Sequence, residues 1–456
     1  MPSPSATSGS DQPLAPRPPS ATAVLRGPIH GTDQVKRVAL GAAVGQVIES
    51  YDFIGFATAA ALYLGPAFFP ADDPMAATLS ALAVLGVGFA ARPLGGIIGG
   101  HLGDRLGRKP VLVASLLVMG LSTFAVGLLP TYQAIGLWAP ALLVSIRILQ
   151  GLAYGAEWGG AILITYEHAP WQEKGRFTGW VQSGFPVGLL AANLVFLASV
   201  ELPGDWAWRV PFLCSIVLVV VGLVIRSKVP ESPVFEQIRA DGELVPDPLV
   251  AVVRREWRDL LRGVGLRVAE TGGYGLAITY LTSYLTNSIP SLAEKDDTIL
   301  ALCVAAAVGV FATLAWSRLT DRVGRRPQYL AVTAFNICWA VPMFLLVNVG
   351  DRWLTVIAFT VSFAISQNAL AGSQGSWFAE LFPPSVRSSG ASLAYQLSSV
   401  ISGATPYLAT VLQLQLGWVG PALLFMLYSV VGLVSAGLTA ETWTPALRAE
   451  VRRLAA

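Results

Sequence analysis

Of the 456 residues, 54% are hydrophobic and only 13% are charged, with a mean hydropathy of +0.59. A soluble domain carries roughly 25% charged residues because its surface must face water, so most of this surface faces lipid and a water-soluble enzyme or binding module is excluded. A net charge of +2 offers nucleic acid no basic excess. The three cysteines (Cys214, Cys303, Cys338) lie in apolar runs without metal-ligand or redox spacing, and inert buried thiols are expected.

Residues 1–36 are rich in Pro, Ser and Ala, lack periodicity and predict a disordered cytoplasmic tail. No apolar stretch there has the length of a signal peptide. Continuous apolar runs of about 20 residues, the length a helix needs to cross ~30 Å of hydrocarbon, then recur. They lie near 38–64, 76–101, 110–129, 137–166, 175–200, 207–227, 264–289, 297–319, 328–349, 354–381, 388–414 and 418–440. Because the runs are continuous and not alternating, a β-barrel is excluded.

With the N-terminus inside, 25 of the 30 Lys and Arg fall on inside segments and only Lys295 and Arg352 on outside loops. Both termini are therefore expected in the cytoplasm of a multi-pass cell-membrane protein. The loop 229–262 divides the spans six and six. Within it, Val250, Val253, Trp257 and Leu260 share one helical face, which suits either an amphipathic helix on the inner leaflet or a solvated connector. The expected fold is an all-α membrane protein of twelve transmembrane helices in two pseudo-symmetric six-helix bundles, 37–228 and 263–440, followed by a cytoplasmic tail, 441–456.

An internal repeat supports the two halves. GDRLGRKP (103–110) returns as TDRVGRRP (320–327), each between the second and third span of its half, with Asp104 and Asp321 217 residues apart. Parallel repeats of this kind build the two halves of one large class of secondary transporters. Gly103, Asp104, Arg105, Gly107 and Arg108, with Asp321, Arg322, Gly324 and Arg325, are expected to act as a gate. The Gly allows a tight reversal, and the Asp can pair with a neighbouring helix N-terminus or with an Arg. A contact present in only one rocked state biases the transport equilibrium. The plainer alternative is topogenic charge alone. Glu167 and Glu380, closing the fourth and tenth spans, form a weaker echo.

Charges inside spans point most directly to function. Glu49 and Asp52 lie roughly 16–21 Å into the first span at 1.5 Å per residue, and Arg147 reaches a comparable depth in the fourth. Each costs roughly 2.5–3.5 kcal/mol at a helix centre, so cavity water or mutual pairing is required. Desolvation and a guanidinium partner shift the proton affinity of a midplane acid in opposite directions, which suits proton coupling. A static ion pair between the first and fourth helices is the alternative. Arg92, before Pro93, can attract a substrate carboxylate. Glu270 suits a second proton site or a substrate amine. Glu157 can pair with Arg92 or His101, and Arg209 is expected to snorkel. Gln182, Gln367, Asn368, Gln374, Gln396 and Tyr395 either line the cavity or form helix–helix hydrogen bonds. The substrate-binding set expected from these is Arg92, Gln182, Glu270 and Gln396.

The double loop motif and RILQG (Arg147, Gln150, Gly151) resemble the major facilitator superfamily. IESYDF (48–53), GAEWGGA (155–161), EHAP (167–170), WRVPF (208–212), PESPVF (230–235) and AELFPPSVRSSG (379–390) resemble its metabolite:proton symporter branch. The resemblance covers about residues 38–440. It implies a carrier of organic acids or zwitterionic osmolytes, and it ties Glu49, Asp52 and Arg147 to proton coupling. The chain departs from the family at Ser50, where Trp is common, and at Lys174-Gly175 after EHAP. It departs again at Arg-Ser-Ser-Gly opening the eleventh span. These changes bear on the substrate more than on the fold. The osmosensing relatives carry a long coiled coil after the last span; about sixteen residues follow Ala440 here, so an osmolyte sensor is not expected.

The expected function is proton-coupled uptake of a small organic acid or zwitterion by alternating access. A proton antiporter exporting lipophilic compounds and a non-transporting membrane sensor are the alternatives. No GxxxxGK[ST] loop is present, so ATP hydrolysis is not expected. His30, His101 and His168 are too scattered for a metal site. Neither a cofactor nor an obligate protein partner is expected; the partners are a small solute, protons and the bilayer.

Overall fold

The computed structural model describes residues 32–69, 74–199, 201–227, 248–289 and 295–455. Among the described residues every regular element is helical. Span 1 covers 32–68, span 2 Pro74–Leu106, span 3 Arg108–Leu128 and span 4 Trp138–His168. Span 5 is Lys174–Gln182 followed by Gly184–Ser199, and span 6 is Trp206–Ser227. The second half repeats the pattern: span 7 at 257–288, span 8 Lys295–Val323, span 9 Arg325–Asn348, span 10 at 352–381, span 11 Arg387–Leu416 and span 12 Val419–Leu438.

Nine of these helices, among the described residues, are long and apolar enough to cross a bilayer. The other three are spans 1, 7 and 11. They carry Glu49 and Asp52, Arg267 and Glu270, and a run of buried serines from Ser388 to Ser402. Such side chains need protein or water beside them rather than acyl chains. Phe311, Leu414 and Trp138 instead point outward, part of a lipid-facing belt.

Helix boundaries differ from the expected ones in three places. Residues 1–31 of the expected tail lie outside the described residues, but span 1 already begins at Thr32, with Val35 and Ala39 buried against Phe177. Residues 229–247 of the expected loop also lie outside the described residues. The rest of that loop is helical: Pro248–Arg255 forms one short helix, and span 7 starts at Trp257. Val250, Val253 and Trp257 face outward, whereas Val252 and Leu260 are buried. The expected C-terminal tail contains a helix, Pro445–Ala455, and Trp443, Leu447 and Val451 pack as one cluster against Trp171. The expectation of buried thiols is corrected: Cys214 and Cys338 are exposed and Cys303 is half-buried. An apolar run in a membrane helix can face lipid as well as protein.

The halves meet along span 2 against span 11 and span 5 against span 8. Small residues permit the approach. A β-carbon on Gly100 would come within 2.9 Å of the Cα of Ser389, and one on Gly179 would overlap Ser317. The repeat is visible in the backbone too: Gly107 has φ 104° and Gly324 φ 109°, conformations that glycine adopts without a Cβ penalty.

Candidate functional site

In the first half, span 2 lies directly on span 4. Gly95 and Gly99 face Leu152 and Ala156, and Gly155 lies on the carbonyl of Arg92. Gly88 gives up its side chain to Arg147, whose Nε would lie 2.7 Å from any β-carbon there. This close contact brings charged groups from spans 1, 2 and 4 to one level. Arg147 NH1 lies 3.5 Å from Asp52 Oδ2 and donates to Gln150 Oε1 at 3.1 Å. Gln150 Nε2 donates to Asp52 Oδ1 at 2.9 Å, and the Thr123 hydroxyl donates to the same oxygen. Arg147 is 3% and Asp52 5% exposed. Phe56 covers the guanidinium at 4.3 Å. The pair thus sits buried and hydrogen-bonded among spans 1, 3 and 4.

One turn from Asp52, Glu49 is buried beside Tyr154. The Tyr154 ring also faces Arg92, whose guanidinium carbon lies 3.6 Å from its centroid and 4.0 Å from that of Phe89. Arg92 is therefore a buried cation in an aromatic cage, an arrangement favoured when the charge is desolvated. Glu157 accepts from Ser115 of span 3, so it faces span 3.

The second half holds a counterpart in Arg267, which the charge pattern alone leaves among the Lys and Arg of inside segments. It lies ten residues into span 7, ~15 Å along the helix, and is 7% exposed. It pairs with Glu270 and donates to the Tyr395 hydroxyl and, at 3.1 Å, to Gln374 Oε1. Gln374 in turn donates to the Tyr329 hydroxyl at 2.9 Å. Acid and guanidinium at i and i+3 share one helix face, the signal that could have located this pair. Asn368 accepts from the Tyr274 hydroxyl, and Gln367 is fully buried.

Gln182 and Gln396, expected to meet substrate, lie in the contact between halves. Gln182 donates to the carbonyl of Ala371 at 3.2 Å, and Gln396 to that of Gly155 at 3.3 Å. Arg209 bonds the carbonyl of Gly127 and Asp205.

At the basic end of the bundle, further contacts join the halves. The Asp321 carboxylate accepts the backbone N–H groups of Gly175 and Arg176, each at 2.8 Å, at the N-terminus of span 5. Within the second half, Arg325 bridges Asp321 at 3.0 Å and Glu380 at 3.1 Å and so holds the Asp321 carboxylate in place. Arg387 of span 11 reaches Glu167 of span 4 at 3.3 Å. Gly103 lies against Ser388 at the start of span 11, the mirrored position. Arg105 and Arg322 are exposed; the side chains of Asp104 and Arg108 lie outside the described residues. Glu441 caps the first N–H groups of span 9, and Trp443 donates to the carbonyl of Asp321. The C-terminal segment thus belongs to the same clasp.

Comparison with known proteins agrees with this architecture. The family model of the Major Facilitator Superfamily matches residues 42–406. The inner membrane metabolite transport protein YhjE of Escherichia coli strain K12 is 36% identical over 415 residues, covering 89% of this chain and 94% of that protein. The shikimate transporter of the same strain is 36% identical over 404 residues, 86% and 92% of the two chains. Its proline/betaine transporter is 33% identical over 425 residues, 90% and 84%. The fold matches the proton:xylose symporter XylE bound to 6-bromo-6-deoxy-D-glucose, with TM-score 0.73 at 17% identity over 93% of this chain and 100% of that one.

Proposed function

The chain belongs to the Major Facilitator Superfamily, and from that premise we propose that it carries a small organic acid or zwitterion into the cell together with protons. It is a multi-pass membrane transporter and not an enzyme. The observation that carries the reading is the Asp52–Arg147 pair, buried and hydrogen-bonded with Gln150 and Thr123 among spans 1, 3 and 4. A protonated Asp52 no longer attracts Arg147, so proton uptake changes how spans 1 and 4 hold each other. Glu49 shares this role from one turn away.

Arg92 and Arg267, one from each half, are the groups that meet a substrate carboxylate, and Glu270 releases Arg267 when the substrate replaces it. Gln182 and Gln396 act between the halves. The basic end is the cytoplasmic one by its excess of Lys and Arg. There the contacts of Asp321, Arg325 and Arg387 close the inward path in one state of an alternating-access cycle. The cytoplasmic side of both termini and of the segment linking spans 6 and 7 follows from the same orientation. Export of lipophilic compounds is the competing reading, and the buried arginines and acids of spans 1, 2, 4 and 7 favour a polar solute.

The test is uptake into proteoliposomes of a panel of small acids and zwitterions, including shikimate, proline and betaine, with an inward proton gradient. Asp52→Asn is expected to abolish gradient-driven accumulation yet keep solute exchange without a gradient. Full accumulation by Asp52→Asn would sink the proton assignment.

A further inference from the structure

A cavity of about 300 Å³ opens at the basic end, apart from the central site. Three separate parts of the chain wall it. Glu173 and Arg176 come from the start of span 5, Arg318 and Arg322 from the end of span 8, and Trp443 and Arg448 from the C-terminal segment. Two carboxylates, Glu173 and Asp321, also line it, and both are already engaged. Glu173 pairs with Arg176, and Asp321 is held by Arg325 and two backbone N–H groups. Arg318 and Arg322 make no salt bridge among the described residues. Arg448 donates from NH1 to the carbonyl of Arg322.

Four guanidinium groups against the carboxylates of Glu173 and Asp321 leave an excess of positive charge around one small cavity. A ligand with several anionic oxygens offsets that excess. Phosphate oxygens match the guanidinium fork in pairs, which a single carboxylate does less completely. We propose that this cavity binds a phosphate-bearing anion, whether free in the cytoplasm or as a lipid headgroup, and that the bound anion fastens the two halves and the C-terminal segment together. The site exists only while its three walls adjoin. Separating span 5 from span 8 takes Arg176 away from Arg318 and Arg322 and dismantles it. By linkage, the anion favours the state closed at this end by its difference in affinity between the two states. This holds whatever solute the transporter carries.

The experiment uses the full chain in nanodiscs of phosphatidylcholine, titrated with inorganic pyrophosphate by calorimetry. One-to-one binding is expected, weakened roughly tenfold or more by the double substitution Arg318→Gln/Arg448→Gln. The double substitution Arg318→Lys/Arg448→Lys keeps the charges and guards against a folding defect; it is expected to retain most of the affinity. Hydrogen exchange at 171–176 and 443–448 should slow with pyrophosphate in the wild type. Nanodiscs of phosphatidylglycerol separate the two sources. If the headgroup fills the cavity, pyrophosphate binding is lost there; if a free anion is the ligand, binding persists in both lipids. Absence of pyrophosphate binding in phosphatidylcholine, or equal affinity in the Gln double variant, overturns the proposal.

Discussion

Replacing Asp321 by Asn tests the clasp at its most connected point. The carboxylate accepts two backbone N–H groups from the other half at 2.8 Å and Arg325 at 3.0 Å. An amide of the same shape keeps one accepting oxygen, turns the other position into a donor facing a donor, and removes the charge. Hydrogen bonds to a charged group contribute about 1.5–3 kcal/mol each. Arg325 keeps Glu380, so the loss falls mainly on the contact between halves. A net weakening of about 2–3 kcal/mol follows, which is roughly a 30- to 150-fold change in the ratio of closed to open states at this end. Spin labels at the outward-facing Leu106 and Val323, in a background without the three cysteines, would read the separation of spans 2 and 8. The variant should move population from the short distance to a longer one. An unchanged distribution, or a shift toward the short distance, would refute the clasp.

Other perturbations separate stability from transport. Arg267→Met leaves Glu270 buried without its partner and should destabilise by about 3–5 kcal/mol; the double variant Arg267→Met/Glu270→Gln should regain much of the melting temperature but not uptake. Recovered transport in that double variant would remove Arg267 from the substrate site. Gly155→Ala forces a methyl into the Arg92 carbonyl and should cost about 1–3 kcal/mol, whereas Gly86→Ala, which meets nothing within 4 Å, should leave the melting temperature in detergent unchanged or slightly raised. Gly107→Ala and Gly324→Ala place a side chain at matching positive φ, so each should cost about 1–3 kcal/mol. Melting curves in which only one of them matters would count against equivalent turns in the two halves.

The apolar runs, the repeated loop and the deep charges of spans 1 and 4 were legible because each is a local property of the chain. A span announces itself by length and hydropathy, and Asp52 and Arg147 by their depth within spans. What escaped the sequence depends on neighbours or on where a helix begins. Arg267 looked topogenic because apolarity rises only near residue 264, while the helix itself starts at Trp257. Positive-inside tallies absorb any Arg near an end, so a buried cation there is hidden. Trp443, Leu447 and Val451, at i, i+4 and i+8, did carry the periodicity of a docking helix face. Their partner, Trp171, lies more than 270 residues away in the chain, and no local pattern names it. Gln182 and Gln396 are legible as polar residues within spans, but whether such an amide meets solute or a carbonyl of the other half is decided by packing.

If the proposed cycle holds, uninterrupted helices are what connect the central site to the clasp. Span 4 carries Arg147 and Glu167, twenty residues apart in one helix, Trp138–His168, which places them ~30 Å from each other along its axis. Span 11 likewise carries Arg387 at the clasp, with Tyr395 and Gln396 nearer the centre. A helix of this length transmits a tilt because bending it would break backbone hydrogen bonds that lipid cannot replace. Spans 1, 7 and 10 are different, since each contains a π turn, at Ala60–Leu64, Gly275–Tyr280 and Ser362–Gln367, where local winding can change. On the proposed cycle, losing the Asp52 charge loosens span 1 from span 4, and the resulting tilt of span 4 against span 11 pulls Glu167 away from Arg387. The same tilt would be absorbed, and the coupling lost, if a proline between Arg147 and Glu167 kinked span 4. Gly160→Pro should therefore uncouple solute accumulation from the proton gradient, beyond any loss of stability shared with Gly160→Ala.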